Sequence, residues 1–123
     1  MNLVDSSGWL EYLADAPNCA FFSPILEATE DLLVSTINIY EVFKRVLQQR
    51  GEEEALRAAA LMEQALVVEV TAPIAMSAAK LSMELGLPMA HSLILATARA
   101  HSAVLWTQDA DFEGLDGVRL VKK

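Results

Sequence analysis

Short apolar runs alternate with helix-spaced segments along the whole of this chain, and that alternation is the tightest limit on its fold. Asn2 to Val4, Leu32 to Ser35, Val67 to Val70, Ala103 to Trp106 and Val118 to Val121 each have the length and apolar or β-branched character of a buried strand. Strands that recur with a helix between them pair in parallel through right-handed crossovers, and such a sheet is covered on both faces. The expected architecture is α/β, with a mostly parallel central sheet of about five strands.

The intervening segments carry their own punctuation. Asp5 and Ser6 are good capping types, and Trp9, Leu10 and Leu13 follow at helical spacing until Ala16, Pro17 and Asn18 end the helix. Phe21 to Glu30 reads as an irregular or short helical connector. Thr36 to Arg50 places Ile39, Val42, Phe43, Val46 and Leu47 on one stripe with Glu41 off it, and Gly51 closes that helix. Glu52, Glu53 and Glu54 load the first turn of a helix running to about Leu66, favourably for its N-terminal dipole. Pro73 opens a helix ending near Gly86, and Pro88 separates it from another over Met89 to about Ser102, with His91 in its first turn. Asp109 to Gly117 is a polar bend.

With 123 residues, 54% of them apolar, the chain can fill one core and little more, so a single domain over residues 1–123 is expected. The lone Cys19 has no disulfide partner, which fits a reducing cytoplasm. The amino terminus has no basic patch followed by an apolar stretch, as a secretion signal would. The most apolar long region, Leu85 to Trp106, contains Pro88, His91, Arg99 and His101, which disfavours a membrane span. A net charge of −8 argues against broad electrostatic affinity for nucleic acid. A polyanionic substrate then needs a local remedy: divalent cations at a carboxylate edge, or a basic strip such as Lys44, Arg45 and Arg50 on one helix.

Such a carboxylate edge is present. Asp5 follows the first strand, Glu41 lies in the helix after the second, and Asp109 with Asp111 follows the fourth. Ligands of parallel sheets collect beyond the carboxyl ends of the strands. Carboxylates gathered there repel one another unless a hard cation intervenes, so magnesium or manganese is the natural occupant. Ions of this kind lower the pKa of water and neutralise a phosphodiester during in-line attack.

Each residue also has a simpler reading. Asp5 is a fitting helix cap, Asp109 and Asp111 a fitting turn closure, and Glu41 a fitting ion-pair partner for Lys44 or Arg45. Ser6, Asn38, Ser92 and Thr107 stand close enough in sequence to orient a carboxylate or water, although capping alone accounts for Ser6 and Ser92. His101, near Arg99 at the far end of its helix, reads as a surface histidine.

Four segments carry a resemblance: Leu3-Val4-Asp5-Ser6-Ser7, Tyr40-Glu41-Val42-Phe43-Lys44-Arg45, His91-Ser92-Leu93-Ile94-Leu95-Ala96-Thr97-Ala98, and Thr107-Gln108-Asp109-Ala110-Asp111-Phe112. In this order and spacing the chain resembles the PIN-domain family, particularly VapC-type toxins. The resemblance implies a Rossmann-like α/β/α sandwich that dimerises, uses magnesium or manganese, and cuts RNA as the toxin half of a toxin–antitoxin pair. By position it makes Asp5 the first, Glu41 the second and Asp109 the fourth of the catalytic metal-binding acids, Asp111 an accessory acid, and Thr107 the hydroxyl beside the fourth. Lys44 and Arg45 become candidate RNA phosphate contacts.

The departure is His91, where the pattern in Pro88-Met89-Ala90-His91 would carry an aspartate. Imidazole ligates manganese and other transition metals but suits magnesium poorly, and it removes one negative charge. Three readings stay open: an altered ligand with retained activity, a degenerate nuclease, or a variant that silences toxicity. The competing function is an inactive PIN scaffold that binds antitoxin or RNA. A phospho-acceptor receiver domain is disfavoured, because Val67 to Thr71 supplies no aspartate and Trp106-Thr107-Gln108 no lysine. Helix-borne Phe21, Phe22, Phe43, Leu56, Leu61 and Met62 suggest more apolar surface than a monomer buries, and hence dimer and antitoxin surfaces, with core packing the equal alternative for each.

Overall fold

A computed structural model describes Met1–Lys123. Five strands, β1 (Asn2–Val4), β2 (Leu32–Ser35), β3 (Leu66–Val68), β4 (Val104–Thr107) and β5 (Val118–Leu120), form one sheet in the order β3-β2-β1-β4-β5, and every pairing is parallel. The chain leaves β1 toward β2 on one side and later returns to β4 on the other. The crevice beside β1 is therefore the topological switch point, where ligands of such sheets bind.

Strand pleating sorts the core into two layers. Val4, Leu32 and Val34 face Trp9, Phe22, Val42, Ala58 and Met62. Leu3, Leu33 and Leu105 face Leu87, Ile94, Leu95 and Phe112. The first layer is covered by α1 (Ser6–Leu13), α2 (Cys19–Glu27), α3 (Thr36–Arg50) and α4 (Glu52–Met62), the second by α5 (Ala72–Leu85) and α6 (Met89–Ala100). This is the α/β/α sandwich. No single helix is long and apolar enough to cross a membrane.

The helix boundaries follow their caps. Ser35 opens α3 with a capping box: its hydroxyl accepts from the backbone N–H of Ile37, and Asn38 Oδ1 accepts from Ser35 N–H at 3.1 Å. Thr71 and Pro73 start α5, and Gly86 ends it at φ +70°, a left-handed position that suits glycine.

Three expectations change. Of the two forms left open for the connector the short helix is the one present, as α2 starting at Cys19 rather than Phe21, despite Pro24 within it, because Phe22 and Leu26 recur at helical spacing and are both buried. The α4 helix stops at Met62, four residues short of the expected end, and β3 begins at Leu66 rather than Val67. The apolar surplus also lies elsewhere: Phe22 and Met62 are fully buried, and Phe21, Phe43 and Leu61 pack against the core. Of the six side chains expected on open faces only Leu56 is exposed, while Tyr40, Leu66, Met76, Met83 and Met89 stand furthest out into solvent, with Met1, Leu47 and Leu85 exposed to a lesser degree.

Candidate metal centre

Register brings the first two acids together. Val4 pairs with Trp106, so Asp5 emerges beside Thr107, and its backbone N–H donates to Trp106 O at 2.9 Å. Asp5 occupies the N-cap position of α1 but makes no capping bond. Its carboxylate is buried to 1% exposure and accepts through Oδ2 from Thr107 Oγ1 at 2.8 Å and Ser7 Oγ at 2.6 Å. Two hydroxyls thus hold one oxygen and leave Oδ1 without a protein donor. The helix cap is not what Asp5 does.

Thr107 links the two acids. Its Oγ1 donates to Asp5 and accepts from the Asp109 backbone N–H at 2.9 Å. Asp109 does close the turn, since Oδ1 accepts from Asp111 N–H at 3.0 Å, yet its Oδ2 faces His91 Nε2 at 3.2 Å. Turn and site use opposite oxygens of one carboxylate.

His91 reaches the crevice from the first turn of α6, its ring tilted against Phe112 with 4.7 Å between centroids. Its other nitrogen, Nδ1, lies 3.1 Å from Asp111 Oδ2. A neutral imidazole donates from one nitrogen only, so both contacts are hydrogen bonds when the ring carries two protons. Loss of the Nε2 proton would leave Asp111 orienting the ring through Nδ1–H, the usual partner arrangement of a metal-ligating histidine.

Asp5, His91 and Asp109 offer ligand atoms that all lie within 4.8 Å of one another. One ion with bonds of ordinary length would draw such atoms to about 3 Å apart, a contraction within reach of side-chain rotation. Two carboxylate oxygens and one imidazole nitrogen suit manganese or another first-row transition metal better than magnesium. The donor set fits a divalent cation.

The remaining candidates fall around this group. Glu41 lies outside the three-residue cluster, and Oε1 accepts from Ser6 Oγ at 2.7 Å. Ser6 Oγ in turn accepts from Asn38 Nδ2 at 3.0 Å, so the capping box of α3 is tied to the acid by two bonds. No ion pair joins Glu41 to Lys44 or Arg45, and the Lys44 ammonium instead sits 5.8 Å from the centre of the Tyr40 ring. Ser92 is buried and donates to Met89 O at 2.7 Å within its own helix, without touching the acids. Ser7 and Phe112 are the two residues that sequence reasoning passed over. Adjacency to Asp5 pointed equally to Ser6 and Ser7, while nothing local marks Phe112.

A second network borders the first. Glu11 on α1 accepts from the Asn18 backbone N–H at 2.8 Å and from Gln108 Nε2 at 3.0 Å, and Gln108 Oε1 accepts from Asn18 Nδ2. The Asn18 and Gln108 bonds, aided by Lys123, hold the Glu11 carboxyl below its ordinary value.

The PIN domain family matches residues 3–118 of the chain. No curated protein matches it. Among solved structures, a toxin–antitoxin complex from Klebsiella pneumoniae is similar at 26% identity and a TM-score of 0.78, with 97% of this chain and 96% of that one covered. Mycobacterium tuberculosis VapC20, described as a sarcin–ricin loop cleaving toxin, is similar at 20% identity and a TM-score of 0.77, covering 97% and 99%. DNA-bound VapBC from Salmonella typhimurium is similar at 16% identity and a TM-score of 0.75, covering 99% and 98%. From a family match over nearly its whole length, and from the parallel sheet whose switch point holds Asp5 and Asp109, the chain belongs to the PIN domain family.

Proposed function

We propose that this protein is a divalent-metal-dependent endoribonuclease, the toxin half of a toxin–antitoxin pair. The observation that carries the proposal is the convergence of Asp5, His91 and Asp109 at the switch point of a PIN fold. Asp5 and Asp109 are the principal ligands, fixed by Thr107, and His91 is the third, oriented by Asp111. A cation bound there supplies a more acidic water and neutralises charge on the phosphodiester. Glu41, held by Ser6, is the further acid that orients the attacking water or accepts its proton. Water adds at phosphorus and one P–O bond breaks, so the products are two shorter strands.

The partners follow from the relatives. The Klebsiella structure is a toxin–antitoxin complex and VapC20 is a toxin that cleaves RNA, which supports an antitoxin partner and an RNA substrate for this chain. A homodimer in the cytoplasm is part of the same reading, and exposed Met76, Met83 and Met89 are the apolar side chains available to such an interface.

One observation favours a second reading. His91 already spans Asp109 and Asp111 and occupies the space between the acids with its own ring, as an inactive scaffold retaining antitoxin or RNA binding would permit. Cleavage of single-stranded RNA in magnesium and then manganese, by the protein and by His91→Asp and Asp5→Asn, separates the two. The nuclease reading expects manganese-supported cleavage that Asp5→Asn abolishes. Absence of cleavage by both the parent and His91→Asp in either metal would leave the scaffold.

A further inference from the structure

Beside the acidic centre runs a groove of opposite charge. A cavity of about 330 Å³ is lined by Ser7, Glu11, Arg45, Gln49, Arg50 and Lys123 among others, with Gln108 at its edge. Its neighbour, of about 400 Å³, shares Gln108 and Lys123 and adds Lys122 beside two acids, Asp109 and Glu113, so the basic excess lies in the first cavity. The two adjoin through Gln108 and Lys123 into one path, which is lined by Asp109 in one cavity and by Ser7, the hydroxyl on Asp5, in the other. Four of the nine basic residues line this path in a chain of net charge −8.

Arg45 and Arg50 are not committed to any acid. Arg57, on the far helix, is the only arginine or lysine paired with a carboxylate, so neither Arg45 nor Arg50 has an acidic partner. With the Gln49 carboxamide oxygen turned toward it, Arg45 donates to Gln49 at 3.2 and 3.3 Å, which steadies the guanidinium at the groove wall. The one acid in the first cavity, Glu11, spends its oxygens on Asn18 and Gln108. Five residues of helix separate Arg45 from Arg50 by about 7.5 Å along the axis, and both cradle planar forks suited to phosphate oxygens. Lys44 is not part of the groove.

We infer that this groove is the strand-positioning subsite: Arg45 and Arg50, with Lys123, bind successive phosphates of a single RNA strand and lead the adjoining linkage to Asp5 and Asp109. The inference rests on the ribonuclease reading for its substrate, and the assignment of the groove to a phosphate backbone rests on charge and shape. Arg45 and Arg50 act as positioning residues and touch no reacting atom.

The test is fluorescence anisotropy of a labelled single-stranded RNA in EDTA, over a salt series, with the whole chain. Each phosphate contact contributes a slope of about −0.7 in log K against log salt. The double variant Arg45→Ala/Arg50→Ala should therefore lose about 1.4 of that slope and bind at least tenfold more weakly, while Lys44→Ala should match the parent. Arg45→Gln/Arg50→Gln, with its melting temperature checked, guards against a folding loss. Unchanged slope and affinity in both double variants overturns the inference, as does an equal loss in Lys44→Ala, or displacement of RNA by an equimolar polyglutamate peptide. If binding falls as expected but no metal supports cleavage, the nuclease reading fails and the groove stands. If cleavage proceeds and both double variants keep the parental KM and salt dependence, the groove fails and the nuclease reading stands.

Discussion

His91 Nε2 stands 3.2 Å from Asp109 Oδ2, so an imidazole from α6 fills the gap between acids that emerge from β4 and β1. The ring is both a candidate ligand and the polar link between Asp109 and Asp111. Replacing it by His91→Asp gives the site a third hard oxygen donor. Magnesium affinity should rise tenfold or more, about 1.4 kcal/mol, whereas manganese affinity should change less. The metal-free variant should melt below the parent and regain stability on adding magnesium. Calorimetric titration and a thermal melt check both, and an unchanged magnesium affinity contradicts the ligand role of His91.

Ser6 joins Glu41 to the buried Asn38 amide. Ser6→Ala removes one donor and one acceptor at once and leaves Asn38 Nδ2 without its partner. The expected loss is about 1–3 kcal/mol in urea unfolding. Activity should fall further than stability explains, because Glu41 loses its anchor. Thr107→Val should cost a similar amount, since its hydroxyl serves both Asp5 and the Asp109 N–H. Neutral behaviour of both variants would mean that water replaces these bonds.

Gly8 sets how closely α1 approaches the sheet. A Cβ there would lie 2.5 Å from Val4 Cγ1 and 2.7 Å from Phe22 Cε1. Gly8→Ala should therefore destabilise by about 1–3 kcal/mol through overpacking, despite alanine's better helix propensity. Because Val4 precedes Asp5, metal affinity should weaken as well, a coupling that calorimetry on the folded variant reads directly.

Glu11 gives a pH dependence of known sign. Its folded carboxyl is held below the reference value of 4.5 by Asn18 and Gln108, so the stabilisation is complete above that value and is lost as pH falls through the lower folded one. Glu11→Gln should therefore lie slightly below the parent in stability at neutral pH, converge with it in acid, and so flatten the acid limb of the stability–pH profile between those two points. The exposure of Glu11 keeps the effect small.

Alternation of apolar runs and helical stripes made the five strands and their parallel pairing legible, because the central strands β1, β2 and β4 are largely buried and the chain turns polar at Asp5, Ser35 and Thr107 where they end. Asp5, Asp109 and His91 were legible as neighbours for the same reason. What escaped was governed by tertiary contact. The α2 helix begins after Pro17 and carries Pro24, local signals that argue against a helix until Phe22 and Leu26 find the core. Lys44 and Arg45 are sequence neighbours and looked equivalent. One helical step of about 100° sends Lys44 to Tyr40 and Arg45 to the groove. Sequence also had no means of telling Glu41's hydroxyl partner from an ion pair one turn away.

The most direct measurement of the metal centre is calorimetric titration of manganese into the folded protein, Asp5→Asn, Asp109→Asn and Asp111→Asn, each first checked by its thermal melt. The account predicts saturable binding by the parent, a loss of tenfold or more in Asp5→Asn and Asp109→Asn, and a smaller loss in Asp111→Asn. Parental affinity in Asp5→Asn would contradict it.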